Sequence, residues 1–190
     1  MKSNFEFLNR YWPVLAQLGA NAENYLYSDP NACIYKLGLF AERLVQEILV
    51  FEHMDAPKTD NTHANRIRLL KRAGLLPPEI DNTLYILRKT RNSAVHAGTD
   101  SVDEAKTLLS MAYNLAVWYM EPYGDWEYIA GDFVMPEEVH QADLKSVIED
   151  QEKKIAELSQ KLAQVTTAVS GTTQKERAKR GETVSSMMQW

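Results

Sequence analysis

One cysteine, Cys33, is all the thiol chemistry in the chain. A single thiol excludes an internal disulfide and any multi-cysteine zinc site. Cys33 reads as a small buried apolar residue in a reducing compartment. Long hydrophobic runs are missing too, and none approaches the roughly 18 residues of a membrane span. The opening MKSNFEFLNRYW has no apolar centre of the kind a signal peptide carries. The expectation is a cytoplasmic protein with no membrane part. There is no phosphate-binding P-loop, no dinucleotide fingerprint and no nucleophile elbow. The histidines, His53, His63, His96 and His140, are scattered without metal-ligand spacing, so neither a metal nor a cofactor is expected.

Runs of alternating strand pattern are scarce, and helical periodicity takes their place. Pro13 suits the first turn of a helix whose stripe is Leu15, Leu18, Ala22 and either Tyr25 or Leu26. Asp29-Pro30 reads as an N-cap and helix start, and that helix should run to about Met54. Its stripe of Ile34, Leu37, Ala41, Leu44, Val45 and Ile48 is the strongest in the globular part. A short helix follows over about 62–73, closed by Gly74. Pro77-Pro78 opens a fourth helix, with Ile80, Leu84 and Leu87 on one face, running to about His96. Asp100 or Ser101 caps a fifth, striped by Ala105, Leu108, Leu109, Ala112, Leu115, Ala116 and Tyr119. The fold class is therefore all-α, a bundle of about five helices.

Residues 122–136 carry Tyr123, Trp126, Tyr128 and Phe133, too many aromatics for a linker. They read as a loop packed onto the bundle, with room for a short strand. The pattern then changes. Leu144, Ile148, Gln151, Ile155, Leu158, Leu162, Val165 and Val169 alternate spacings of four and three. That is a heptad seam, and so narrow a stripe fits a coiled coil better than a core helix. From Gly171 the chain is polar. The expected organisation is a helical domain over 5–136, a coiled-coil helix over 137–169 and a flexible tail over 170–190.

Net charge is −5, which by itself does not suggest a polyanion binder. Between Asp60 and His96 the balance reverses. Arg66, Arg68, Lys71, Arg72, Arg88, Lys89 and Arg91 face only Asp60, Glu79 and Asp81, a local excess of +4. The segment is either a solvated face or a phosphate-binding patch, and the candidate contacts are Arg66, Arg68, Lys71, Arg72, Arg88 and Lys89.

At the end of the fourth helix stands Arg91-Asn92-Ser93-Ala94-Val95-His96, an R-x-x-x-x-H arrangement. Arg88, Asn92 and His96 fall on one face, and Arg91 lies beside the Leu84/Leu87 stripe. Such a pair suits RNA cleavage. A histidine titrating near neutrality can move the proton of a ribose 2′-hydroxyl, and an arginine can hold the phosphate as charge builds. Spacing alone equally allows a structural role. Arg91 would then pair with an acid of the second helix, such as Glu42 or Glu47, and His96 would sit at the helix C-terminus, where cations are favoured.

Arg91, Asn92 and His96, with the second-helix segment Ala41-Glu42-Arg43-Leu44-Val45-Gln46-Glu47-Ile48-Leu49, resemble the HEPN superfamily. The branch they resemble stands ahead of the nuclease and helicase parts of type I restriction R subunits, often followed by a coiled coil. The resemblance covers about residues 5–136 and loosely extends to 169. It implies an accessory module in restriction–modification defence that contacts nucleic acid. It also implies a homodimer or contact with other restriction-complex subunits. If active, the module would be a metal-independent endoribonuclease with Arg91, Asn92 and His96 as catalytic residues. Some HEPN proteins are instead non-catalytic assembly modules. Gly98 stands where one toxin branch has a tyrosine, so modification of that tyrosine does not carry over.

Overall fold

The computed structural model describes residues 2–56, 59–97, 101–138 and 149–162, except for the side chains of 95–97. Its order is a short 3-10 helix (Glu6–Arg10), then α1 (Pro13–Tyr25), α2 (Pro30–Phe51), α3 (His63–Arg72), α4 (Pro78–Ala97) and α5 (Val102–Tyr123). No strand occurs among the described residues, and the all-α expectation holds.

The ends of these helices follow from local chemistry. The Asp29 carboxylate accepts the Ala32 amide at 2.9 Å, with Pro30 in the first turn. Thr62 accepts the Asn65 amide at 3.3 Å, and Ser101, rather than Asp100, accepts that of Glu104 at 3.2 Å. Gly74 ends the α3 segment at φ 73°, a left-handed conformation that glycine adopts without Cβ strain. In α1 the open choice between Tyr25 and Leu26 resolves to Leu26, which is buried while Tyr25 is exposed.

The central element is α2. It buries Cys33, Ile34, Leu37, Gly38, Phe40, Ala41, Leu44, Val45, Ile48 and Leu49, about half its circumference. It touches α1, α3, α4 and α5. Each large aliphatic side chain so buried contributes about 1.5–3 kcal/mol, so α2 organises the core. The sequence pattern did not signal the 3-10 helix. Its Leu8 and the Phe5 that precedes it are fully buried, and Phe5 meets Phe40 edge-on at 5.4 Å. Gly19 makes room, because a Cβ there would collide with the Phe5 ring.

Beyond α5 the aromatic segment packs through Tyr128 on Phe7 and Phe133 on Tyr113, but Trp126 is exposed and the short strand for which there was room does not form. The Asn4 amide takes a neighbouring strand's place. Its Nδ2 donates to the Val134 carbonyl at 2.8 Å, and the Val134 amide donates to its Oδ1 at 2.9 Å. The Tyr113 hydroxyl donates to the Gly131 carbonyl at 2.6 Å, and that of Tyr27 to the Pro136 carbonyl at 2.8 Å. These bonds satisfy backbone groups that a strand partner would otherwise meet.

Residues 138–190 form a second unit, separate from Met1–Glu137. Within it residues 149–162 are helical. Ile155, Leu158 and Leu162 of the expected seam are 64%, 54% and 68% exposed, and Gln151 is exposed. Leu144, Ile148, Val165, Val169 and the expected tail over 170–190 lie outside the described residues.

Candidate functional site

The polar centre of the bundle is a carboxylate between two guanidiniums. Glu42 of α2 faces α3 and α4. Its Oε1 accepts from Arg66 Nη1 at 3.2 Å and its Oε2 from Arg91 Nη1 at 2.8 Å. All three side chains are at most a quarter exposed. Arg66 is held further by Asn61, whose side-chain oxygen accepts from Nε at 2.8 Å and whose carbonyl accepts from Nη2 at 3.1 Å. Glu47, the other acid considered for Arg91, pairs with Arg43 along α2 at 2.6 Å.

Arg91 reaches Glu42 by crossing α2. Its aliphatic stem lies against Gly38, where an added Cβ would meet Arg91 Cβ, Cγ and Cδ. Its guanidinium carbon stands 5.2 Å from the centroid of the Tyr35 ring. Tyr35, Gly38 and Glu42 occur at i, i+3 and i+7 on α2 and so form one strip. Glycine inside a helix is unfavourable by about 1 kcal/mol against alanine. The close approach of Arg91 is the packing reason for tolerating it here.

His63, the first residue of α3, is 7% exposed, and neither ring nitrogen has a hydrogen-bond partner among the described residues. Burial lowers its pKa from 6.5 to about 4. The Glu42 carboxylate opposes that shift, and Arg88, Arg91 and Arg66 reinforce it. The ring is therefore neutral at pH 7. Nothing in the spacing of the histidines had marked it.

Among the residues singled out from sequence, those with described side chains divide between the interior and the surface. Arg91 turns inward to α2, while its neighbour Asn92 is exposed. His96 belongs to α4 by its backbone, but its side chain lies outside the described residues. Among the basic residues, Arg66 is committed to Glu42, and Lys71 makes a salt bridge to Asp81 of α4. Arg68 and Arg72 are exposed. Arg88 and Lys89 lie over the Tyr85 ring at 5.6 and 6.0 Å. Arg68, Arg72, Arg88 and Lys89 have no carboxylate partner among the described residues. No cluster of three or more histidine, cysteine or acidic side chains able to hold a metal occurs among those residues. No described helix is long and apolar enough to cross a membrane.

Residues 20–161, which include the whole Glu42 cluster, match the family model described as "Domain of unknown function (DUF4145)". The chain is also similar to the type I restriction enzyme EcoKI endonuclease subunit of Escherichia coli (strain K12). The two are 27% identical over 168 residues, which cover 86% of this chain and 14% of that relative. No solved structure matches.

Two tests follow from this geometry. Gly38→Ala would ordinarily stabilise a helix interior; here displacement of the Arg91 stem should reverse the sign. The expected net loss is about 1–2 kcal/mol, read as a lower denaturant midpoint, and a midpoint at or above wild type refutes the close packing. His63 makes stability depend on pH. The folded ring stays neutral down to about pH 4, whereas the unfolded ring takes a proton near 6.5. Its contribution is complete above 6.5 and is lost as pH falls towards 4, on the order of 3 kcal/mol in all. His63→Leu should flatten the melting-temperature profile between those limits, and an unchanged profile would contradict the assignment.

Proposed function

The chain belongs to the DUF4145 family, and from that premise we propose that it is an accessory, HEPN-like N-terminal module of a type I restriction–modification R subunit. In this reading it serves anti-phage defence and contacts nucleic acid through α3 and α4. One observation carries the reading: Arg68, Arg72, Arg88 and Lys89 have no carboxylate partner among the described residues. Cations not already neutralised by the protein can exchange their counterions for phosphates. Arg66 and Lys71, each bound to a carboxylate, take a secondary part. The likeness to a restriction endonuclease subunit supports placing the module in a complex that works on nucleic acid. The chain spans 14% of that relative's length, and the reading is confined to this module.

Metal-independent RNA cleavage by Arg91, Asn92 and His96 is the catalytic form of this reading. His96 would move the 2′-hydroxyl proton, Arg91 would hold the phosphate and Asn92 would line the approach. A specific observation favours a second, non-catalytic form. Glu42 already occupies the guanidinium of Arg91, so a phosphate must displace that carboxylate or share the guanidinium with it. The bundle would then act in assembly, with the segment 137–169, of which residues 149–162 are helical, pairing as a coiled coil with a second copy or with other restriction-complex subunits. Three exposed apolar residues at heptad positions, Ile155, Leu158 and Leu162, support such pairing.

Binding of RNA or DNA should fall steeply between about 50 and 200 mM salt. The double variant Arg68→Glu/Arg72→Glu should weaken it at unchanged melting temperature, because exposed charges add little stability. No binding at low salt would overturn the nucleic-acid reading. With total RNA in EDTA, the catalytic form requires products ending in 2′,3′-cyclic phosphate, lost in His96→Ala while binding persists. RNA left intact by the wild-type chain leaves the assembly form. For assembly, removal of residues 137–190 should lower the mass seen by light scattering, and an unchanged oligomeric state would dismiss the coil as the pairing element.

A further inference from the structure

Tyr85 sits in the middle of α4 with 49% of its surface exposed. A large ring that open contributes little to the core, and two cations flank it. The Arg88 guanidinium carbon is 5.6 Å from its centroid and Lys89 Nζ is 6.0 Å away. Two rows of residues diverge from it in the helical register of α4. Steps of three lead through Arg88 to Arg91, whose guanidinium lies over the Tyr35 ring of α2, itself 38% exposed. Steps of four and three lead through Lys89 to the exposed Asn92. Two aromatic rings therefore share the α2–α4 surface with two unneutralised cations, Arg88 and Lys89, and with the Glu42-bound Arg91 beside Tyr35.

This combination matches one kind of polyanion. A nucleic-acid duplex presents phosphates but hides the flat faces of its bases, whereas a single strand offers both. Stacking of a base on an aromatic ring is sequence-tolerant, and phosphate contacts to flanking cations complete the site. We infer that Tyr85 is a stacking platform for one base of a single-stranded nucleic acid, with Arg88 and Lys89 on the adjoining phosphates and Tyr35 offering a second ring beyond Arg91. An exposed cation–π contact is weaker than a base stack. On binding, the base takes the ring and the two cations turn to the phosphates. The inference rests on the reading that this face binds nucleic acid, and adds to it the strand state and the two tyrosines.

The test uses the full chain with short fluorescent single strands of RNA and of DNA, and a duplex of the same sequence. Tyr85→Ala should weaken binding of the single strands about tenfold and leave the salt slope unchanged, because no phosphate contact is removed. Tyr85→Trp should restore binding. A loss with either sugar supports the platform, since every base has a π-face. Melting temperature is the control for folding, and a half-exposed side chain should leave it near wild type. If Tyr85→Ala binds single strands like wild type, or the duplex binds wild type as tightly as single strands do, the platform is wrong while the broader reading survives. Wild-type chain that binds none of the probes at low salt overturns both.

Discussion

The Glu42 carboxylate is the point on which the polar architecture of the bundle depends. It is shared by Arg66 of α3 and Arg91 of α4, so one side chain of the central helix ties down both of its neighbours on that side. Drawing three charged groups mostly out of water is costly, and Coulomb attraction offsets this only when the geometry is good and remaining polar atoms are satisfied. Asn61 supplies much of that satisfaction to Arg66, and the Tyr35 ring covers Arg91. Gly38 lets the Arg91 stem pass. The cluster is thus a structural unit, and its specificity lies in fixing how α3 and α4 dock on α2.

That arrangement limits the chemistry of the same residues. An arginine already bound by a carboxylate does not present a free fork to a phosphate. The outward cations of α3 and α4 are under no such restriction, and those of α4, Arg88 and Lys89, stand beside Tyr85 rather than inside the bundle. The electrostatics therefore separate an inner layer that holds the helices from an outer layer available to a ligand. His63 belongs to the inner layer. It lies among the same charges with neither ring nitrogen hydrogen-bonded among the described residues, and stays neutral because burial outweighs the attraction of Glu42.

The helices were legible because their signals are local. Asp29, Thr62 and Ser101 cap the helices they precede, and the period of α2 predicted the face it buries. The Glu42–Arg91 pair was legible only as one of two alternatives, because Glu42 and Glu47 both lie on α2 within plausible reach. Phe5 and Leu8 were missed, since five residues of 3-10 helix are too few to establish a period. Asn4 was missed for another reason. Its partner, Val134, is 130 residues away, and no sequence pattern marks so distant a bond.

The sequence by itself determined the all-α class, the Asp29 cap, the apolar stripes and the excess of basic residues between Asp60 and His96. Each depends on neighbours within a few positions, where backbone geometry and side-chain chemistry are tightly coupled. Only the tertiary structure decided which of those basic residues face inward. Arg66 and Arg68 are two positions apart on one helix; the first is bound to Glu42 and the second is exposed. A helix turns about 200° over two residues, and which side meets α2 is settled by packing between helices. Gly38, Tyr35 and Tyr85 gain their roles in the same way, from what another helix brings opposite them or leaves uncovered.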